Sequence, residues 1–192
     1  MNGTVILVVN LIQNIKSKME IKGKRLVFTR QQIADKVSVL AQQISQDYQG
    51  KNPILIGVLK GAFMFLADLT RHISIPFKID FVRVASYGSK DYSTGEIKLT
   101  KDVELPIKGE HVLIVDDIVD IGYTLRFLLD HIAAKGPKSL KLCALINKLE
   151  RRKVEIPIDY VGFTLDKGFL VGYGLDFNEM FRCLPEIYEL IF

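Results

Sequence analysis

Three aspartates lie close together, directly after an apolar run. Residues 112–115 have the composition of a strand buried on both faces, and Asp116 and Asp117 follow where this strand should end. Asp120 lies in the loop beyond them. Carboxylates accept hydrogen bonds from hydroxyl groups and bind hard cations. The spacing therefore predicts a site for a ligand that offers hydroxyls or a bound cation.

The same loop leads into a helix. Gly122 and Thr124 close the loop, and apolar residues then recur at helical spacing, at Leu125, Leu128, Leu129 and Ile132. The first amide groups of a helix have no partner within it, and the helix dipole favours negative charge, so this N-terminus is suited to an anion. Acids beside an anion site fit a sugar phosphate, although one of the aspartates could serve only as a helix cap.

Commoner phosphate-binding and catalytic motifs are absent. The chain has no G-x-x-x-x-G-K-[ST] and no G-x-S-x-G, which argues against a P-loop nucleotidase and a serine hydrolase. Gly172 and Gly174 begin like a dinucleotide fingerprint, but Phe177 stands where the third glycine belongs, so we interpret them as turn glycines. The histidines lie apart and are predicted to be structural or surface residues: His72, His111 and His131.

Strands alternate with helices along the chain. Thr29 and Gln32 form a capping box that predicts a helix to about Tyr48, and a second helix is predicted at 61–71. Strands are predicted at 54–59, at 77–84 with a bulge, at 139–146, at 160–165 and at 169–173, and residues 87–101 as a loop. In the strand at 77–84 the alternation predicts one face made of Phe77, Ile79 and Phe81 and an opposite face with Lys78 and Asp80. This order predicts an α/β fold with a mostly parallel sheet.

Ligands of parallel α/β sheets bind outside the carboxyl ends of the strands. In this chain that rule selects Lys60, Asp116, Asp117, Asp120 and Lys148. The prediction places the acids and two lysines at one edge of the sheet, independently of any family.

Composition narrows the class of protein. The net charge is +4, and residues 1–30 contribute +5 with six basic residues and one acid. The rest of the chain therefore carries −1, which argues against a basic face for nucleic acid. Cys143 and Cys183 lack metal-binding spacing, which favours a reduced, cytoplasmic protein. The apolar run at 5–12 is too short to span a membrane, and no positive charge precedes it as in a signal peptide.

Domain organisation is predicted to be simple. We expect residues 1–18 to be an N-terminal extension and residues 19–192 to form one domain. A packed N-terminal strand or a partner-binding tail is the alternative for the extension.

The segment 111–124 resembles the phosphoribosyl-diphosphate motif of type I phosphoribosyltransferases, in which an apolar strand and two acids precede Asp-Thr-Gly-x-Thr. Other segments are similar, in order and approximate spacing, to hypoxanthine-guanine phosphoribosyltransferases: residues 58–62, Ser86, Tyr87, residues 93–97, Lys148, Phe163, residues 171–179 and Arg182. The resemblance covers about residues 20–190. It implies the type I fold with a small hood and a flexible lid loop. It also implies transfer of ribose 5-phosphate from phosphoribosyl diphosphate to hypoxanthine or guanine, with Mg²⁺, in purine salvage.

The resemblance further implies a role for each matched residue. Asp116 and Asp117 would hold the ribose hydroxyls, and Asp120 would be the general base. The 5-phosphate would be bound by Ile121, Gly122, Tyr123 and Thr124, and the diphosphate by Lys60, Gly61 and Arg182. The purine would be bound by Lys148, Phe169 and Leu170, the lid would include Ser86 and Tyr87, and Asp176 would contact the metal. Taken alone, Phe169 could be plain core and Lys148 a solvated strand end.

One residue departs from the family's motif. Ile121 stands where the family has threonine, so a backbone N–H remains but a hydroxyl donor to the 5-phosphate is lost. A hydrogen bond to a charged group contributes about 1.5–3 kcal/mol, which predicts a loss of about ten- to a hundredfold in affinity or rate.

Two other functions remain open at this level. One is a nucleotide- and RNA-binding regulator on the same fold, which would need a basic face beyond the N-terminal segment. The other is a related transferase that prefers xanthine or another 6-oxopurine. Analogy with the fold predicts a homodimer or homotetramer.

Overall fold

The computed structural model describes residues 20–86 and 97–192, which form two sheets and three helices. The strands are β1 Gly23–Phe28, β2 Ile54–Leu59, β3 Lys78–Ser86, β4 Ile97–Lys101, β5 His111–Val119, β6 Ser139–Lys148, β7 Tyr160–Leu165, β8 Leu170–Val171 and β9 Ile187–Ile191. The helices are α1 Arg30–Asp47, α2 Phe63–His72 and α3 Tyr123–Ala134. The larger sheet has the order β4-β3-β2-β5-β6-β7, and the smaller has β1-β9-β8.

The larger sheet is parallel except at β4, which pairs antiparallel with β3. Both of its faces are covered. Alternate residues of β5 enter different cores: Leu113 and Val115 pack with apolar residues of α1 and α2, and Val112 and Ile114 pack with those of α3. Burial on both faces explains why β5 begins as a continuous apolar run.

The predicted capping box is confirmed at the start of α1. The Thr29 side chain accepts from the Gln32 amide at 3.2 Å, and the Gln32 side chain accepts from the Thr29 amide at 2.9 Å. The helix ends at Asp47 with Tyr48 as its C-cap, in agreement with the prediction of an end at about Tyr48.

The smaller sheet was incompletely predicted. β1 and β9 were not predicted, and the expected strand at 169–173 is only Leu170–Val171. β9 is the central strand and pairs with both β1 and β8, because Gly23 lies opposite Ile191 and Leu170 opposite Glu189. This sheet corresponds to the hood that the family resemblance implies.

The strand that carries the acids is longer than predicted. β5 continues through Val119, so Asp116 and Asp117 lie within it instead of after it. The parallel ladder to β6 continues past them, with Asp116 opposite Ala144 and Val119 opposite Asn147. Pairing with a neighbouring strand therefore overrides the low strand propensity of aspartate.

The loop predicted at 87–101 was also wrong in part. Residues 97–101 form β4, which pairs with β3 across a register shift between Arg83 and Val84. That shift confirms the bulge expected in the strand at 77–84.

The face pattern of β3 was wrong at two positions. Ile79 is 43% exposed, whereas Asp80 is only 5% exposed. Asp80 is buried because residues after β4 fold over it, and its carboxylate accepts from the amides of Glu104 at 2.7 Å and Leu105 at 2.8 Å. These hydrogen bonds hold the pKa of Asp80 below its usual value, against the effect of burial.

The remaining sequence features agree with the described chain. His72 and His131 lie in helices and His111 begins β5, as predicted. Gly172 and Leu175 exchange backbone hydrogen bonds in a tight turn, in keeping with turn glycines. None of the described helices is both long and apolar enough to cross a membrane.

Candidate active site

Asp116 and Asp117 occupy consecutive positions of β5, and successive side chains of a strand point to opposite faces. Asp116 is 8% exposed, and its Oδ1 accepts from the Asp117 amide at 3.0 Å. Burial raises the pKa of Asp116 well above the usual value, and repulsion from Asp117 raises it further. Burial also raises the pKa of Asp117, while its hydrogen bonds and Arg182 oppose the rise. The strand therefore holds two carboxyl groups whose full ionisation is costly.

Asp120 and Lys148 come together at the ends of two neighbouring strands. Asp120 follows β5 and Lys148 ends β6, and Lys148 Nζ lies 3.3 Å from Asp120 Oδ2. The Lys148 side chain is only 7% exposed. The other carboxylate oxygen of Asp120, Oδ1, is buried without a hydrogen-bond partner. A buried acceptor without a partner is costly, so Oδ1 is suited to receive a donor from a ligand.

Gly122 sets the conformation of the loop between β5 and α3. Gly122 precedes α3 with a φ of 102°, and no side chain caps the helix from this position. A Cβ atom at Gly122 would stand 2.8 Å from the Val154 carbonyl oxygen, so both backbone conformation and space require glycine. The first amides of α3, including those of Tyr123 and Thr124, lack partners within the helix by geometry. These amides are therefore available to an anion, as the predicted cradle requires.

The turn after β2 packs against the acids of β5. A Cβ atom at Gly61 would stand 1.9 Å from Asp117 Oδ2, so only glycine allows this approach. The peptide between Leu59 and Lys60 is cis. The predicted helix at 61–71 begins later, at Phe63, which leaves Lys60 and Gly61 in the turn beside Asp117.

Arg182 connects this turn to the predicted metal ligand. Its Nη1 donates to the Gly174 carbonyl at 2.7 Å, and its Nη2 lies 2.9 Å from Asp176 Oδ1. Glu179 Oε1 lies 3.0 Å from Lys60 Nζ, and Glu179 Oε2 lies 3.2 Å from Arg182 Nη2. These two cations hold the pKa of Glu179 below its usual value. An acid therefore neutralises both of the cations predicted to bind diphosphate.

Asp176 fits a magnesium ion that arrives with its substrate. Mg²⁺ keeps several waters and is commonly bound through one or two carboxylates together with substrate phosphates. Asp176 is half-buried, and its Oδ2 accepts from the Glu179 amide at 2.8 Å. Among residues 20–86 and 97–192, no three histidine, cysteine or acidic side chains are grouped as a metal site.

Phe169 belongs to an aromatic cluster at the hood. Its ring lies 5.4 Å from that of Phe177 and 5.6 Å from that of Phe192, edge to face in both pairs. Phe169 is 41% exposed, whereas the neighbouring Leu170 is buried in β8. These contacts place Phe169 with the hood aromatics and leave part of its ring accessible.

The remaining predicted residues lie at or beyond the edge of the described chain. Ser86 is the last residue of β3, where its backbone is paired opposite Ile97. Tyr87 lies outside the described residues, as does the predicted extension at 1–18. The lid and the extension therefore stay predictions.

Sequence reasoning missed charged residues that contact the predicted site, among them Glu179 and Arg151. Glu179 lies between Lys60 and Arg182, and Arg151 Nη1 lies 3.9 Å from Asp120 Oδ2. Glu179 lies in the segment that carries the family resemblance, but nothing in its type indicated an ion pair with Lys60. Arg151 follows Lys148 in a polar turn, and its approach to Asp120 depends on the fold of that turn.

Comparisons with known proteins give the family. A model of the phosphoribosyl transferase domain matches residues 27–178. Hypoxanthine-guanine phosphoribosyltransferase of Aquifex aeolicus is 45% identical over 172 residues, which cover 88% of this chain and 97% of the relative. The protein of the same name from Dictyostelium discoideum is 42% identical over 172 residues, covering 88% of this chain and 96% of the relative.

A solved structure agrees. A crystal structure of a hypoxanthine-guanine phosphoribosyltransferase from Bacillus anthracis superposes with a TM-score of 0.83 at 45% identity, covering 90% of this chain and 100% of that chain. The predicted fold and family resemblance are thereby confirmed. The chain belongs to the phosphoribosyl transferase family, in which it is an enzyme of purine salvage.

Proposed function

We propose that this enzyme transfers the 5-phosphoribosyl group of phosphoribosyl diphosphate to N9 of hypoxanthine or guanine. The products are IMP or GMP and diphosphate. The observation that carries this proposal is the pair of Asp120 and Lys148, 3.3 Å apart, with Asp120 Oδ1 buried and unpaired. The O6 and N7 atoms of a 6-oxopurine lie side by side on one edge of the ring. A donor and an acceptor held side by side suit that edge.

Each member of the pair has one task. Lys148 donates to the purine O6, which disfavours adenine because its 6-amino group cannot accept in the same way. Asp120 accepts the N7 proton while N9 attacks the anomeric carbon and the bond to diphosphate breaks. The half-exposed ring of Phe169 stacks on the purine, and the Leu170 backbone contacts its edge.

The ribose and its phosphate occupy β5 and the loop after it. Asp116 and Asp117 accept from the ribose hydroxyls and electrostatically favour the positive charge that develops on the sugar. The 5-phosphate binds the amides of Ile121, Gly122, Tyr123 and Thr124, with the Thr124 hydroxyl as a further donor.

The diphosphate binds at the turn after β2. Lys60, Gly61 and Arg182 supply the cations and the close-packed backbone that support this role. Asp176 would hold Mg²⁺, which would supply charge neutralisation of the leaving group when bound. A lid that includes Ser86 and Tyr87 would exclude water from the activated sugar.

The test is a substrate panel. Purified protein is incubated with phosphoribosyl diphosphate, Mg²⁺ and, in separate reactions, hypoxanthine, guanine, xanthine and adenine, and nucleotide formation is followed by chromatography. We expect IMP and GMP, with little product from adenine. Product from xanthine alone would favour the related transferase, and no nucleotide from any base would contradict the proposed reaction.

We also propose a homodimer or homotetramer in the cytoplasm. Free thiols at Cys143 and Cys183 are compatible with a reducing compartment, and several apolar side chains such as Leu26, Val39 and Ile79 are well exposed. Sedimentation velocity of the purified chain measures the assembly, and a monomer at working concentration would contradict it.

A further inference from the structure

We propose that Arg152 is a positioning residue that fixes Asp120 and Lys148 in register with the purine edge. The inference rests on the proposed function, because it assigns to Arg152 the geometry of the pair that reads O6 and N7. It adds a residue outside the segments that carry the family resemblance.

Arg152 joins the carboxyl ends of β5 and β6 through backbone carbonyls. Its Nε donates to the Asp120 carbonyl at 2.8 Å. Its Nη2 lies 2.8 Å from the Val119 carbonyl and 3.1 Å from the Lys148 carbonyl. The guanidinium is a planar group with donors in a fixed fork, so bonds to both strand ends define their relative position.

Asn147 adds a side-chain acceptor to these backbone acceptors. Its Oδ1 accepts from Arg152 Nη2 at 2.7 Å. Val119 and Asn147 face each other in the last pair of the ladder between β5 and β6. The hydrogen bonds of Arg152 therefore link β5 and β6 directly after the last pair of their ladder, where the chain turns at Asp120.

The segment that carries Arg152 is itself anchored. Glu150 N donates to the Asp166 carbonyl at 2.8 Å, just beyond β7, and Arg152 N donates to the Leu149 carbonyl at 3.0 Å. Lys153 N and Val154 N donate to the Ile121 carbonyl at 2.9 and 3.3 Å. The carbonyls of three consecutive residues, 119 to 121, are thus held by residues 152 to 154. Only the first two of those carbonyls depend on the Arg152 side chain.

This division predicts a selective defect. Without the guanidinium fork, Asp120 and Lys148 lose their common support, whereas the phosphate cradle keeps its backbone donors. A displacement of about 1 Å in a catalytic group can cost about a hundredfold in rate. Catalysis with the purine should therefore suffer far more than binding of phosphoribosyl diphosphate.

The experiment compares two arginine-to-lysine variants, Arg152→Lys and a matched control. Arg152→Lys keeps the positive charge but loses the forked guanidinium. Calorimetry counts the sites that bind phosphoribosyl diphosphate, and kcat/KM for hypoxanthine is expressed per such site. We expect this kcat/KM to fall about 30- to 100-fold. The Kd of phosphoribosyl diphosphate should stay within about threefold. The control is Arg126→Lys, since Arg126 Nη2 donates to the Glu155 carbonyl, which follows the same segment but is not part of the Arg152 network. Its kcat/KM should stay near the wild-type value.

A second variant covers the case in which Arg152→Lys does not fold. Asn147→Ala removes one acceptor of Arg152 and leaves every backbone group in place, and we expect a fall of about threefold in kcat/KM. Equal losses in kcat/KM for hypoxanthine and in phosphoribosyl-diphosphate affinity, or unchanged kcat/KM per binding site in Arg152→Lys, would overturn the positioning role. An unchanged kcat/KM in Asn147→Ala would likewise count against it. A wild-type enzyme that forms no nucleotide would instead contradict the proposed function, so the two failures are distinguishable.

Discussion

The two ends of the site are built differently. At the proposed purine end, Asp120 and Lys148 are largely buried, with side chains 26% and 7% exposed. At the proposed diphosphate end, Lys60 and Glu179 are 46% and 64% exposed and their ion pair lies open to solvent, whereas Arg182 is 20% exposed. The proposed purine end is a largely buried pair, and the proposed diphosphate end includes one ion pair, between Lys60 and Glu179, that is exposed enough to exchange.

The difference follows from the ligands proposed for each end. A neutral purine offers little electrostatic attraction, so its recognition depends on donors and acceptors that are already in place. A diphosphate is strongly charged, and exposed cations can exchange a protein carboxylate for it at small cost because such pairs contribute little in water. Substitutions at the fixed end should therefore change rates strongly, and substitutions at the exchangeable end should change affinity modestly.

The largest effect is expected at Asp120. Asp120→Asn keeps the shape of the side chain but removes the proton acceptor, so kcat should fall about 10²- to 10⁴-fold. The Kd of phosphoribosyl diphosphate should change little. Steady-state kinetics with hypoxanthine and calorimetric binding measure the two quantities. Asp130→Asn, on the exposed side of α3, is the control, and near-normal turnover of Asp120→Asn would remove Asp120 as the base.

The next largest effect is expected in the loop proposed to bind the 5-phosphate, where Ile121 supplies an amide but no hydroxyl. Ile121→Thr restores the hydroxyl that the family's motif provides, and kcat/KM for phosphoribosyl diphosphate should rise about ten- to a hundredfold. Ile121→Val has nearly the same shape without the hydroxyl, so it should show no gain. An unchanged or lower kcat/KM in Ile121→Thr would mean that another donor already serves the 5-phosphate.

Much of this site could be predicted because its residues lie at the ends of strongly patterned strands. Lys60, Asp120 and Lys148 follow apolar runs, and the rule for parallel sheets brings such positions together. Pairing between the chain ends, such as Gly23 with Ile191, leaves no local pattern, which is why β1 and β9 were not predicted. Asp80 is buried only because a distant loop supplies amides to it.

Arg152 shows the same limit within the site. Its partners are backbone carbonyls, and carbonyls have no signature in the sequence. A basic residue in a polar turn is indistinguishable from a solvated one until the turn is folded. The residues proposed to contact a ligand were therefore easier to predict than the residue proposed to position them.

The acids of β5, Asp116 and Asp117, should lower the stability of the protein in return for their proposed role in binding. Because burial raises the pKa of Asp116, the folded state binds more protons than the unfolded state above the ordinary carboxyl pKa, and stability falls as pH rises through that window. Asp116→Asn cannot ionise, so its free energy of unfolding at about pH 8 should exceed that of the wild type by about 1–2 kcal/mol.

The excess should shrink as pH falls towards about 4, because Asp116 is then protonated in the folded wild type and about half protonated in the unfolded chain. Urea unfolding across this pH range measures it, with Asp130→Asn as the control that shows no such trend. A variant less stable than the wild type at high pH would contradict a raised pKa. Loss of phosphoribosyl-diphosphate affinity in the same variant would show that the destabilising carboxyl is retained for binding.

The smallest effect is expected at Glu179, where the exchangeable character of the diphosphate end is tested directly. Its carboxylate neutralises Lys60 and Arg182. In the proposed function it leaves them when diphosphate binds. Glu179→Gln should lower KM for phosphoribosyl diphosphate about two- to fivefold at low salt, with the gain fading as ionic strength rises. Glu104→Gln is a matched control. Glu104 Oε1 forms an ion pair with Lys101 Nζ at 3.0 Å, and this pair lies outside the proposed site. A higher KM in Glu179→Gln would mean that Glu179 organises Lys60 for the ligand, and the diphosphate end would then be as preformed as the purine end.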